Sequence, residues 1–170
     1  MIGRLRKLLK EKVKKPLYRK RIEKRARAVG KGLKVNNSSY INHNTYLGNN
    51  VNFNGMKIAG KGKVIIGDNF HSGEECLMIT DSHNYDKGNA IPYDSTYIVK
   101  DINIQDNVWL GSRVIILGGV TIEEGAIVQA GSVVVSNIPK GAIYGGHPAR
   151  LIKYRDLDHY ERLKAEGKFH

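Results

Sequence analysis

The chain has 170 residues, a single cysteine (Cys76) and a formal net charge of +12. That length suits one domain with a sizeable core, the lone cysteine excludes an internal disulfide framework and fits a reducing compartment, and no apolar run is long enough to span a membrane. The charge is uneven: residues 1–34 hold 15 of the 28 Lys/Arg and 2 of the 16 Asp/Glu, which leaves residues 35–170 close to neutral.

The basic arm, residues 1–34, comes first. Leu5, Leu8, Leu9 and Val13 fall at helical spacing among lysines and arginines, so residues 3–15 read as an amphipathic helix. Pro16 is expected to break or restart it, and residues 17–28 continue basic and helical until Gly30 and Gly32. Charges interrupt every apolar run, so the start is not a signal peptide and cytoplasm is the expected location. Three uses of the arm stay open. Its apolar stripe packs on the body or on a neighbouring subunit; or residues 1–28 lie on an anionic membrane surface, at the inner membrane face; or it binds nucleic acid, which the scarcity of aromatics beyond Tyr18 and the absence of a nucleic-acid motif disfavour.

From Val35 a period of six appears. Val35, Ile41, Leu47 and Phe53 are six apart, separated by Asn-, Ser- and Gly-rich stretches that tolerate tight corners. The register slips near residues 55–62 and resumes at Ile66. It is cleanest from residue 102 to 139: Ile104, Leu110, Ile116, Ile122, Val128 and Val134 occupy the first place, and Val108, Val114, Val120, Ala126, Ser132 and Ile138 the fifth. Each six residues make one short strand and one corner, and three sides make one triangular coil. A coil cannot bury its apolar places alone, so coils must stack with parallel strands. The predicted fold is therefore an all-β parallel β-helix over residues 35–153. The repeat fails at residues 80–100, a loop with one histidine, three aspartates and three tyrosines. A long loop ejected from a rigid repeat is a functional candidate. Residues 140–153 read as a closing loop, and residues 154–170 as a charged helical tail over the last coil.

Three segments resemble the hexapeptide-repeat acyltransferases, and within them the maltose and galactoside O-acetyltransferases and their polysaccharide-modifying relatives: Ile66-Gly67-Asp68-Asn69 leading to His83; Asp106-Asn107-Val108-Trp109-Leu110-Gly111-Ser112; and Ala130-Gly131-Ser132-Val133-Val134 followed by Gly145-Gly146-His147-Pro148-Ala149-Arg150. The resemblance covers residues 35–153. It implies a left-handed β-helix, a homotrimer, and acetyl-CoA bound between adjacent subunits.

The resemblance also implies the site. Acetyl transfer to a hydroxyl needs a base to take its proton, and His83 stands where the family keeps its catalytic histidine. Asp81 and Asp86 are both near enough in sequence to orient its ring. Asn54 resembles the family's acceptor-side asparagine, through a one-residue gap, and Trp109 is placed at the groove wall beside the acceptor. The Ser112 turn matches the family's backbone donor to the oxyanion. Gly111, Ser112, Ala130 and Gly131 leave a narrow edge for the pantetheine arm, and Arg150 and Lys153 stand where the family places cations for the phosphates. Val135 departs from a family Thr, which puts one adenine-end hydrogen bond in doubt. His147 also departs, replacing a residue that is small or Asn in the family. The expected activity is acetyl-CoA-dependent O-acetylation of a sugar or of a polysaccharide or glycan precursor. The alternatives are N-acetylation of an amino sugar, O-acetylation of an antibiotic, and a non-catalytic β-helix. No metal is expected, since His83 has no partner histidine within five residues.

Overall fold

All six aliphatic residues at the first place of the clean repeat are at most 1% exposed, and those at the fifth place at most 2%. That inward column is the core of a parallel β-helix. The computed structural model describes residue 3 and residues 8–170 of the chain; Leu5 of the predicted stripe lies outside the described residues.

The helix has three sides. The first holds β1 (Ala28–Val29), β3 (Thr45–Leu47), β6 (Val64–Ile66), β11 (Ile102–Ile104) and β14 (Thr121–Ile122). The second holds β2 (Lys34–Asn37), β4 (Asn52–Asn54), β7 (His71–Glu74), β12 (Trp109–Leu110), β15 (Ile127–Val128), β17 (Ala142–Gly146) and β18 (Ala149–Tyr154). The third holds β5 (Lys57–Ala59), β8 (Leu77–Ile79), β13 (Ile115–Leu117) and β16 (Val133–Val134). Pairing is parallel on all three sides except between β17 and β18. In the upper coils the partners are eighteen residues apart, as Ile104 with Ile122, Leu110 with Val128 and Ile116 with Val134, which is three sides of six. In the lower coils Leu47 pairs with Ile66 and Ile58 with Met78, so the apparent slip near residues 55–62 is a set of longer corners on an intact ladder.

Corners need left-handed backbone, and the chain supplies it in columns. Between the first and second sides the positive-φ residues are Gly32, Asn50, Asn69 and Asn107, then Gly125. Their amides form a ladder: Asn50 Nδ2 donates to Asn69 Oδ1 (3.1 Å), Asn69 Nδ2 to Asn107 Oδ1 (2.9 Å), and Asn107 Nδ2 to the Tyr160 hydroxyl (2.9 Å). Each amide thereby satisfies the next where no strand hydrogen bond is available.

Three features depart from the sequence reading. The first coil strand is Ala28–Val29, paired with Tyr46–Leu47, so the β-helix begins before Val35. Residues 142–154 form an antiparallel strand pair, Ala142–Gly146 with Ala149–Tyr154, turning at His147-Pro148, where a loop was expected; pairing satisfies the free edge of the last coil. The C-terminal helix α2 (Leu157–Ala165) starts after that pair. The Asp156 side chain caps it by accepting from His159 N–H (2.9 Å). It lies along the corner between the first and second sides, from Gly141 of the last coil, beside Leu157, to Glu124 and Asn107, which Tyr160 reaches.

At the other end, residues 8–25 are one helix: a π-helical stretch, Lys10–Lys14, runs into the α-helix α1 (Lys15–Arg25). Pro16 sits in the first turn of α1, where its missing N–H is tolerated, so the helix changes type there without breaking.

Candidate active site

The chain leaves the third side after Ile79 and returns to the first at Ile102. In between, β9 (Asp81–His83) and β10 (Tyr97–Val99) form an antiparallel hairpin with His83 opposite Tyr97. The His83 ring is stacked on Tyr93, centroids 3.8 Å apart at 14°, and lies 4.7 Å from the Tyr97 ring. Its Nδ1 is buried and has no hydrogen-bond partner among the described residues. The loop tip is tied by Asp94, whose carboxylate accepts from Thr96 and Asn89. The Thr96 hydroxyl contributes most to holding that carboxyl below its ordinary range. A cavity of about 190 Å³ lies at the hairpin's base, lined by Asp81, Ser82, Lys100 and Leu117 among others.

The two candidate carboxylates lie as follows. Asp81 Oδ2 accepts from Lys61 N–H (3.1 Å), and Asp86 is exposed farther along the loop. The ring is held by aromatic stacking, which sequence reading missed. The signal was present as Tyr93 and Tyr97 in the ejected loop, but nothing in the spacing said that the loop folds back on its own histidine.

A second constellation lies at the corner between the second and third sides. Gly111 N–H donates to Val128 O (2.7 Å) and Arg113 N–H to Glu74 O (2.7 Å), so Ser112 N–H is the turn amide left between two committed ones. The Ser112 hydroxyl accepts from Glu74 N–H (3.1 Å). One coil on, Ala130 and Gly131 are exposed, and a Cβ built on Gly131 meets nothing within 4 Å. Gly111 differs: its Cβ would lie 2.4 Å from Ala130 N. Arg150, opposite Gly145 at the end of the second side, and Lys153, opposite Ile143, are both exposed. Two strand spacings, roughly 10 Å, separate them from the strand that precedes Ala130. Asn54 is in the same corner column but is engaged within the chain: its Nδ2 donates to Ser72 O (2.6 Å) and its Oδ1 accepts from Asn36 (2.9 Å).

Trp109, 56% exposed, stands on the outer face of the second side between His71 and Ile127. It lines a cavity of about 430 Å³ under α2, with His71, Ile127, Tyr160 and Lys164. Burial pulls the His71 imidazole below its ordinary range; the hydrogen bond with His170 works against that. Cys76 is buried at the foot of the corner, its Sγ 3.1 Å from Gly111 O, and burial pushes its thiol up. It is a packed, protonated thiol at neutral pH. Among the described residues no group of three His, Cys, Asp or Glu is arranged to hold a metal ion.

Within one chain, then, Ser112, Ala130 and Gly131 share one column with Arg150 beyond them, Lys153 lies in the register of Trp109 and Ile127, and His83 does not join them. Ser112 precedes a strand of the third side and His83 follows one, so a full side, about 10 Å of strand plus corner residues, lies between them.

The molecule is a triangular parallel β-helix with a six-residue period and one ejected hairpin bearing a stacked histidine. Residues 101–136 match the bacterial transferase hexapeptide family (six repeats). The repeat is that of this family, and the chain resembles the hexapeptide-repeat acyltransferases. It is similar to galactoside acetyltransferase solved with coenzyme A, at 29% identity and a TM-score of 0.71 over 81% of this chain and 70% of that one. It is also similar to a hexapeptide-repeat acetyltransferase of Vibrio cholerae solved with acetyl coenzyme A, at 26% identity and a TM-score of 0.72 over 89% of this chain and 84% of that one. A candidate acetyltransferase of Schizosaccharomyces pombe is 39% identical over 93 residues, 53% of this chain and 42% of that protein. The chain spans about half the length, or less, of the curated relatives it matches.

Proposed function

We propose that this protein moves the acetyl group of acetyl-CoA to a hydroxyl of a sugar or of a polysaccharide or glycan precursor. The observation that carries the reading is His83: an imidazole stacked on Tyr93 and close to Tyr97, with a buried nitrogen that nothing among the described residues satisfies. A buried polar atom without a partner is uncommon, and one at the root of an ejected hairpin fits a group that meets its partner from the acceptor or a second copy.

The coenzyme fits the corner column. Ala130 and Gly131 leave an open, narrow edge for the pantetheine arm, and Arg150 and Lys153 stand free at its end for the phosphates. His83 takes the proton of the acceptor hydroxyl as its oxygen attacks the thioester carbonyl. The oxyanion that forms is met by Ser112 N–H. Collapse breaks the C–S bond, and the imidazolium returns the proton to the departing thiolate. No covalent enzyme intermediate is needed, and the buried, protonated Cys76 is not suited to forming one.

Because His83 and Ser112 lie at opposite edges of the third side, the two halves must come from two copies. That side offers the surface. Leu77, Ile79, Ile115, Leu117, Val133 and Val135 point outward from it, and a parallel sheet with apolar residues on its outer face is expected to be covered. A homotrimer closes such contacts into a ring.

The test is acetyl transfer from acetyl-CoA to panels of sugars, amino sugars and antibiotics, with mass spectrometry of the products. His83→Ala should lower kcat by 10²–10⁴ while coenzyme binding, measured by calorimetry, is kept. Full activity of that variant overturns the mechanism, amide products in place of esters overturn the acceptor class, and failure of the wild type to bind coenzyme A overturns the reading.

A further inference from the structure

The helix of residues 8–25 has two faces that matter. Lys15, Tyr18, Ile22 and Arg25 are its partly or fully buried positions; Ile22 is fully buried, and α1 packs against β2 through this line. Arg25 fixes the end by donating to Ile41 O and to the Tyr40 hydroxyl. The second line is Leu9, Val13 and Leu17, four residues apart, with Leu8 beside it. These four are 46% (Leu8), 48% (Leu9), 45% (Val13) and 60% (Leu17) exposed. Leu17 is one residue step, roughly 100°, from Tyr18 and five steps, roughly 140°, from Ile22, so the contact that holds the helix to the body leaves the stripe uncovered. Around it the helix carries nine Lys/Arg and two Glu. Both glutamates are already paired, Glu11 with Lys15 (2.8 Å) and Glu23 with Arg19 (2.9 Å), which leaves seven basic side chains without an acidic partner on the helix.

We propose that residues 8–25 are a docking surface for an anionic lipid bilayer, lying in the interface with Leu8, Leu9, Val13 and Leu17 in the acyl boundary and the basic side chains among the headgroups. Charge complementarity selects an acidic partner, and the aliphatic stripe selects a bilayer over nucleic acid, because a phosphate backbone offers nothing to bury leucines against. The rest of the molecule keeps the helix as a tether: no described helix is long and apolar enough to cross a membrane, so attachment is lateral and reversible. The proposal stands apart from acetyl transfer and is tested without it.

The experiment is co-sedimentation of the full chain with vesicles of phosphatidylcholine alone and of phosphatidylcholine with phosphatidylglycerol. Binding is expected only to the second, weakening as salt shortens the screening length. The triple variant Leu9→Gln/Val13→Gln/Leu17→Gln keeps helix propensity and charge, and should bind on the order of tenfold or more weakly. Because the three positions are exposed, its folding is expected to be intact, and circular dichroism checks this. Equal binding of variant and wild type to anionic vesicles overturns the proposal, as does no vesicle binding by the wild type. So does a change in the variant's oligomeric state without lipid, which would give the stripe to a second copy. Duplex DNA bound as tightly as the anionic vesicles, and unaffected by the triple substitution, gives the arm to nucleic acid.

Discussion

Gly111 has a structural reason to be glycine that does not depend on a coenzyme beside it. Its place beside Ser112 in the turn resembles a coenzyme edge, yet a Cβ there would sit 2.4 Å from the backbone nitrogen of Ala130. Real side chains do not make that contact, so glycine is required for one coil to lie on the next. Gly111→Ala is expected to cost about 1–3 kcal/mol, the range for an overpacked site. Ser112→Ala, which removes one hydroxyl acceptor for Glu74 N–H, is expected to cost about 1 kcal/mol or less. Chemical denaturation of both variants measures the difference. A Gly111→Ala protein of unchanged stability that no longer binds coenzyme A would return the residue to the site. His83 is the converse case. Its ring is held by Tyr93 and Tyr97 ten and fourteen residues on, a constraint that depends on how the loop folds and that no pairwise spacing announces.

Among the elements, the corner ladder and α2 act as one unit. Asn50, Asn69 and Asn107 pass hydrogen bonds up the corner, and at the next coil Gly125 has no side chain to continue it. Tyr160 takes that space: its ring lies 2.9 Å from where a Gly125 Cβ would be, and its hydroxyl accepts from Asn107 and donates to Glu124 Oε1 (2.7 Å). Burial by itself would raise the Glu124 carboxyl. The hydrogen bonds from Lys164 and Tyr160 and the charge of Lys140 outweigh it and hold the group below its ordinary range. A carboxyl lowered by folding stabilises the protein above its unfolded value, about 4.3, and that contribution is lost as the pH falls through the folded value. Tyr160→Phe should therefore cost about 1–2 kcal/mol at neutral pH, and the penalty should shrink in acid, below the ordinary carboxylate range, as Glu124 protonates. Denaturation at several pH values reads both. No penalty at any pH would mean that the ring's packing, not the hydroxyl, holds α2, and a penalty independent of pH would give the effect to the Asn107 hydrogen bond. The Asn-rich corners were legible as corners because Asn tolerates left-handed backbone. That they form a ladder ending on a helical tyrosine 53 residues from Asn107 was not, since the pairing runs between coils.

At the scale of the whole molecule, the inward half of the pattern was legible and the outward half was not. Ile104 and its equivalents repeat because stacking forces the same residue type into the same place, so the period writes the fold into the sequence. Leu117 and Val135 are as apolar as the core and point away from it; the period does not say what covers an aliphatic outside its first and fifth places. The site inherits that ambiguity, because its two halves stand at opposite edges of the side those residues cover. Two variants separate the alternatives. His83→Ala removes the proposed base. Ala130→Trp, at an exposed position, fills the coenzyme edge without disturbing the core. Each variant alone should be inactive. In a closed ring assembled from equal amounts of both, a site is whole when the copy supplying His83 carries the Trp substitution and the copy supplying the corner carries the Ala substitution. Random assembly makes about a quarter of the sites whole, so mixed refolding should recover about a quarter of wild-type activity. If each site were built within a single chain, every copy would carry one lesion in its own site and mixing would recover nothing. The recovered fraction, read from initial rates after co-refolding, therefore decides whether the apolar third side joins the two halves of the site.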